Sequence, residues 1–225
     1  MFKAIAFDLD DTLMDTSGLL IPRASAHAFE ILIAAGLRLT PQECEKKRLE
    51  IIKKNSHKEV FLHVAEHYGT SETATAVNQA VKAFYEPELP THLTLLPGAL
   101  ENINYLHSKY PLFLVTAGTV KTQHQKADAL GITDKFQSIY VINSLNKQRK
   151  AHAFLEIIKN ANINPIELLC IGNSLLSEIA DAIKIGATAC YFEFGEERGA
   201  MPVLESERPQ FHIRSHRELI TACKL

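Results

Sequence analysis

Short, uniformly apolar runs recur along the chain at Ala4–Phe7, Leu112–Thr116, Ile139–Ile142, Leu168–Ile171 and Ala189–Phe192. A strand with one solvated face alternates polar and apolar residues, whereas a strand covered on both faces is apolar throughout. These runs therefore read as strands of a parallel sheet. Between most of them lie segments of helical period: Phe154, Ile157, Ile158 and Ala161 share one face, and Leu175, Leu176, Ile179, Ala182 and Ile183 share another. Gly131 and Gly186 stand where helices commonly end. Strand and helix in alternation predict an α/β fold with helices on both faces of the sheet.

The stretch from about Thr16 to about His92 reads differently, with helix signals and no convincing strand. Thr40-Pro41-Gln42-Glu43 sets an N-cap, a first-turn proline and a capping-box glutamate in order. Ser56-His57-Lys58-Glu59 repeats the box ahead of Val60, Phe61 and Val64. Gly36 and Gly69 fit helix ends, and Pro87 and Pro90 mark an extended exit. The reading is a helical insertion at 16–92, placed after the first strand of a core made from 1–15 and 93–225.

Composition narrows the field. At 225 residues the chain suits one large domain, or a core with an insertion. Hydrophobic residues at 46% and charged residues at 22% allow a sizeable core and exclude disorder. With 24 basic against 26 acidic residues, the net charge of −2 leaves no footprint for nucleic acid or an anionic membrane. No apolar stretch approaches the roughly 18 residues that span a bilayer. Met1-Phe2-Lys3 runs straight into the first strand without a leader pattern, and Cys44, Cys170, Cys190 and Cys223 show no CxxC spacing. A cytoplasmic protein with reduced thiols is expected, Cys170 and Cys190 acting as small buried hydrophobes. Its oligomeric state is not legible.

Candidate chemistry begins where the first strand ends, in Phe7-Asp8-Leu9-Asp10-Asp11-Thr12. Ligand sites in open α/β sheets lie beyond the carboxyl ends of strands. Asp8 and Asp10, at alternate positions, can face one site there. Two close carboxylates repel, which helps keep one protonated while the other stays ionised. Together they offer an oxygen nucleophile, a proton donor and an attractor for a hard cation.

Here the chain resembles the haloacid dehalogenase superfamily, in its phosphatase branch. The first motif, Asp-x-Asp-x-Thr after a strand, is matched by Asp8, Asp10 and Thr12. The second, an apolar strand ending in Thr or Ser, is matched by Leu114-Val115-Thr116-Ala117-Gly118. The third is a lysine shortly before a helical phenylalanine; Lys150 before Phe154 fits best, with Lys147 a second candidate. The fourth, Gly-Asp-Ser-x-x-x-Asp, finds its frame in Gly172-Asn173-Ser174 through Glu178 but not its acids. The tail, Phe211–Ser215 before Glu218-Leu219, also fits.

The resemblance implies a Rossmann-like doubly wound core with a helical cap between the first and second motifs. It also implies a phosphohydrolase for a small phosphorylated metabolite. Asp8 would be the nucleophile, forming an aspartyl-phosphate, and Asp10 the acid and base. Thr12, Thr116, Ala117, Gly118 and Lys150 would hold the phosphate. Mg²⁺ would sit on Asp8, the Asp10 carbonyl, Asn173 and Glu178.

Asn173 supplies an amide oxygen without charge, so weaker Mg²⁺ binding is the expected direction. Glu178, one methylene longer than aspartate, either reaches the metal or acts behind it. Asp181, a turn further on, either shares that face or lies on ordinary helix surface. Three readings stay open: an enzyme with a weakened or rearranged metal site, a phosphatase-fold protein that only binds a phosphorylated metabolite, and a phosphomutase.

Elsewhere, His63 and His67 lie one helical turn apart with His57 nearby, a polar face more than a zinc pair, since no third ligand is evident. Asp15 and Leu19-Leu20-Ile21 stand at the root of the insertion. Glu193, Phe194, Gly195 and Gly199 form a loop to which the sequence assigns no role.

Overall fold

The computed structural model describes residues 1–90, 92–143 and 148–225. The described chain divides into two compact units, one formed by Met1–Thr16 with Pro90–Leu225 and the other by Ser17–Leu89.

The first unit is built on a six-stranded, all-parallel sheet of order β3-β2-β1-β4-β5-β6. Its strands are β1 (Ala4–Phe7), β2 (Leu112–Ala117), β3 (Ser138–Ile142), β4 (Leu168–Gly172), β5 (Thr188–Phe192) and β6 (Phe211–Ile213). The five apolar runs are the first five strands, each placed to within a residue or so. The sixth is a three-residue edge strand, too short to register as a hydrophobic run. β1 sits between β2 and β4, with Phe7 opposite Leu114 on one side and Ile171 on the other. The chain winds outward from β1 to β3 and then returns to begin β4. This makes β1 the point where the strand order reverses, and a crevice opens there at the carboxyl ends.

Ala4, Ala6, Phe113, Val115, Leu168, Cys170 and Ala189 project from one sheet face into a core closed by Phe154 and Ile157 and by Leu175, Ile179 and Ala182. Phe154 and Ile157 are on helix α8 (Lys150–Ala161), and Ile179 and Ala182 on helix α9 (Glu178–Lys184), faces their periodicity predicts; Leu175 and Leu176 instead lie in the turn before α9, with Leu176 exposed. Helices α6 (Ala99–His107), α7 (Val120–Ala129) and α10 (His216–Cys223) complete the unit. Gly131 and Gly186 follow α7 and α9 at φ +67° and +78°, the left-handed turn that favours glycine. All four cysteines are free and buried. Among the described residues no helix is long and apolar enough to cross a membrane.

The second unit is helical: α2 (Ile21–Ala34), α3 (Pro41–Ile52), α4 (His57–Tyr68) and α5 (Ser71–Tyr85), after the short α1 (Thr16–Leu19) that begins at its edge. Both capping boxes form. Thr40 N–H donates to Glu43 Oε2 at 2.8 Å, and Ser56 N–H to Glu59 Oε2 at 2.7 Å. Its core holds Phe29, Phe61 and Phe84 edge to face, with the His57 ring stacked on Phe84.

Candidate active site

Asp8, just beyond the end of β1, and Glu178, at the start of α9, meet Lys150, the first residue of α8. The Asp8 N–H donates to the Ile171 carbonyl at 2.9 Å, extending the β1–β4 ladder by one residue and fixing the Asp8 backbone. Its side chain is buried, with Oδ1 2.7 Å from Lys150 Nζ. The same ammonium lies 2.9 Å from Glu178 Oε2, so one lysine is clasped by two carboxylates, each side chain 8% exposed or less. Burial raises the Asp8 carboxyl, and Glu178 and Asp10 add to the rise. Lys150 opposes them, and the group rests at about 7 instead of 3.8. For Lys150, burial favours loss of the proton, but Asp8 and Glu178 outweigh it and hold the ammonium firmly charged. Of the two third-motif candidates, Lys150 reaches the Asp8 carboxylate; Lys147 lies outside the described residues.

Glu178 departs from the expected metal ligand. Its Oε2 serves Lys150 and its Oε1 accepts from the Ser174 N–H at 2.5 Å, so both oxygens are engaged by the protein. The longer side chain folds back over Gly172, where a Cβ would stand 2.3 Å from Glu178 Cγ. Only glycine leaves the room this carboxylate occupies.

Asp10 is separately anchored. Thr16 Oγ1 and Lys126 Nζ each donate to its Oδ1 at 2.6 Å, and Gln123 Nε2 donates to Oδ2 at 2.8 Å. Burial pushes this carboxyl up, but Lys126 and the three hydrogen bonds prevail and hold it below the usual range. The two aspartates therefore differ, the Asp8 carboxyl raised by burial and the Asp10 carboxyl lowered by its partners.

The phosphate-binding expectations divide. Among the described residues the buried hydroxyls of Thr12, Thr116 and Ser174 have no partner. Buried hydroxyls in native proteins are normally paired, so three orphans on segments at or after β1, β2 and β4 are candidates to meet an occupant with hydrogen-bonding oxygens. Gly118 does not serve as expected: its N–H donates to the Ile142 carbonyl at 3.0 Å, continuing the β2–β3 ladder. The Ala117 carbonyl accepts from Gln123 Nε2 at 2.6 Å.

Asn173 donates through Nδ2 to the Phe194 carbonyl at 3.2 Å, which leaves its Oδ1 as the free oxygen. With Asp8 Oδ2, the side-chain donors left for a cation are one carboxylate oxygen and one amide oxygen. Among the described residues no group of three or more His, Cys, Asp or Glu could hold a metal ion. An oxygen-only set with a single charge fits a hard cation that keeps several waters and takes further oxygens from its substrate.

Asp181 neither reaches the metal donors nor lies on open surface. It is 2% exposed and faces the start of α8. His63 and His67 stack ring on ring, and His67 Nδ1 bonds back to the His63 carbonyl, an arrangement internal to their helix. The loop after β5 gains a place: Phe194 receives Asn173, the Arg198 carbonyl accepts from the Leu176 N–H at 3.3 Å, and Gly195 packs so close to Asp11 that a Cβ would meet its Cγ at 2.3 Å.

Sequence reasoning missed Gln123, Lys126 and His216. The first two lie among the buried residues of α7, and polar residues at inward positions of the helix after the second motif were an available signal. His216, 1% exposed, donates from Nε2 to the Thr12 carbonyl at 2.7 Å, and Asn102 holds it by donating to the His216 carbonyl at 2.6 Å. Nothing in the sequence marks a contact across 204 positions.

A doubly wound parallel sheet carries a buried carboxylate–lysine–carboxylate triad at its switch point, the place where open α/β sheets hold their ligand sites. The chain belongs to the haloacid dehalogenase-like hydrolases, whose family model matches residues 5–191. It is similar to the glyceraldehyde 3-phosphate phosphatase of Methanopyrus kandleri, with 26% identity over 98% of this chain and 96% of that one. The enzyme of the same name from Pyrococcus abyssi is 28% identical over 87% of this chain and 83% of its own. Among solved structures, a protein described as a predicted phosphoglycolate phosphatase from Haemophilus somnus superposes with a TM-score of 0.75 at 19% identity, covering 98% of this chain and 97% of its own. The magnesium-bound HAD-hydrolase YfnB of Bacillus subtilis gives a TM-score of 0.69 at 21% identity, covering 100% of this chain and 99% of its own.

Proposed function

We propose that this phosphohydrolase cleaves a small phosphomonoester through an aspartyl-phosphate on Asp8, with Mg²⁺ as its cofactor. The observation that carries the reading is the clasp of Lys150 between Asp8 and Glu178 at the switch point. A buried carboxylate with one oxygen tied to a fixed ammonium keeps the other for attack on phosphorus, while the lysine balances charge as the acyl-phosphate forms. The bond from phosphorus to the leaving alcohol breaks, and the alcohol takes its proton from Asp10. Water then attacks phosphorus, Asp10 accepts its proton, and Asp8 is released as carboxylate.

Asp10 as found is ionised, ready for the second of these steps. Before serving the leaving alcohol it must gain a proton against the pull of Lys126, Gln123 and Thr16. The orphan hydroxyls of Thr12, Thr116 and Ser174 are suited to phosphate oxygens. Asn173 Oδ1 and the Asp10 carbonyl would hold Mg²⁺, joined by the Asp8 oxygen that does not attack phosphorus. When bound, the cation neutralises phosphate charge and screens it from the attacking carboxylate.

The named relatives make glyceraldehyde 3-phosphate the first substrate to try. Phosphate release from a panel of small phosphomonoesters, titrated with Mg²⁺ and repeated with Asp8→Asn, tests the reading. Release that rises with Mg²⁺ and disappears in Asp8→Asn is expected. Turnover that survives Asp8→Asn would exclude the covalent route. Retention of the phosphoryl group with isomerisation of a sugar phosphate would assign a mutase instead.

A further inference from the structure

We infer that Asp181 is a positioning residue for Lys150: it caps α8 from a neighbouring helix and clamps the residue before Lys150, holding the ammonium on Asp8. The inference rests on the phosphomonoesterase reading for its catalytic consequence, and on geometry alone for the clamp.

A helix leaves its first N–H groups unsatisfied, and the residue preceding the first turn usually supplies an oxygen for them. In α8 that residue is Arg149, which has no side-chain acceptor and makes no cap. Asp181, on α9, takes over: its Oδ2 accepts from the Ala151 N–H at 3.1 Å. Its Oδ1 meanwhile accepts from Arg149 Nε at 2.9 Å and Nη2 at 2.5 Å. Arg149 Nη2 also reaches the Leu176 carbonyl at 3.2 Å.

One carboxylate thus grips the residues on either side of Lys150, whose own side chain is committed to Asp8 and Glu178. Asp181 and Glu178 sit on the same short helix, so α9 grips Lys150 through its ammonium and, through its neighbours, at the backbone. A negative group at a helix start is favourable in itself. Yet a buried aspartate needs a strong reason, since an ionised carboxylate out of water is costly unless fully paired. Its pairing here serves the turn that carries Lys150. Arg149 is half exposed and Asp181 is not, so the burial lies on the capping side.

The test compares Asp181→Ala, Asp181→Asn and Arg149→Ala in the parent and in a Lys150→Met background. Asp181→Ala is expected to lower kcat roughly a hundredfold, the scale on which a misplaced group slows a reaction, with KM changed less than about twofold. Asp181→Asn keeps an acceptor for Ala151 and should recover about tenfold of that loss. In the Lys150→Met background Asp181→Ala should cost less than about twofold, because the group it positions is gone.

Equal losses in both backgrounds, or kcat within about twofold of the parent, overturn the inference. If Asp181→Ala does not fold, Arg149→Ala carries the same comparison from its exposed side. Amide hydrogen exchange over 150–154 provides an arm independent of turnover. Protection there should fall in the Asp181 variants while that of the β4 amides holds; unchanged protection sinks the clamp. A parent without turnover would remove the phosphomonoesterase reading and leave exchange to decide the positioning.

Discussion

In the proposed reading, Asn173 is the one residue whose side-chain atom would set the site's appetite for metal. An added charge about 4 Å from a dication is worth several kcal/mol at an effective dielectric near 20, before desolvation takes most of it back. Asn173→Asp should therefore tighten Mg²⁺ by roughly tenfold, read by calorimetric titration. The gain is tempered because the substitution also sets a carboxylate against the Phe194 carbonyl, which now receives the Asn173 amide. His216 gives the pH dependence. Burial lowers its pKa below the ordinary 6.5, against the pull of its bond to the Thr12 carbonyl and of Glu101. The unfolded chain then binds this proton more readily than the folded one, so the stability that neutral His216 confers is complete above pH 6.5 and lost as pH falls below it. His216→Gln keeps a donor at the same reach without the titration. Its melting temperature should fall less between pH 7 and pH 5 than that of the parent, and parallel curves would remove His216 from the acid limb.

At the scale of elements, the helices carry caps that can be tested singly. Thr40→Ala should cost about 1 kcal/mol by removing the hydroxyl that meets the Glu43 N–H, seen as a shift in denaturant midpoint with an unchanged slope. Gly172→Ala should cost more, about 3 kcal/mol or above, because its methyl occupies the space of the Glu178 carboxylate and frees a buried charge. Elements of this kind were largely legible in advance. β1, β2, β4 and β5 are buried on both faces and announce themselves as apolar runs, while Thr40 and Ser56 announce their helices by local hydrogen-bond chemistry. What sequence leaves open is direction. Glu178 occupies a metal-motif position, yet its extra methylene lets it turn to Lys150 and the Ser174 N–H. Gly118 stands in a loop-like motif, yet its N–H completes a ladder. Asp181 looks like helix surface and is a cap for another helix. Each outcome depends on a partner more than twenty positions away (Lys150 for Glu178, Ile142 for Gly118, Ala151 for Asp181), and no local pattern encodes it.

For the whole molecule, the division into two units has an experimental use that begins with sulfur. Cys44 lies in the segment 17–89, while Cys170, Cys190 and Cys223 lie in the sheet-based unit, and all four thiols are buried. Burial also keeps the Cys44 and Cys170 thiols protonated, above their ordinary pKa. A thiol in this state reacts only when the structure around it opens, so each cysteine is a clock for its own unit, needing no added label and no mutation. Pulsed alkylation read by peptide mass should give one rate for Cys44 and a separate one for the other three. If inorganic phosphate with Mg²⁺ binds at the proposed site, it should slow alkylation of Cys170, Cys190 and Cys223 and leave Cys44 unaltered. A single rate for all four, slowed alike by phosphate, would mean that the two units open as one.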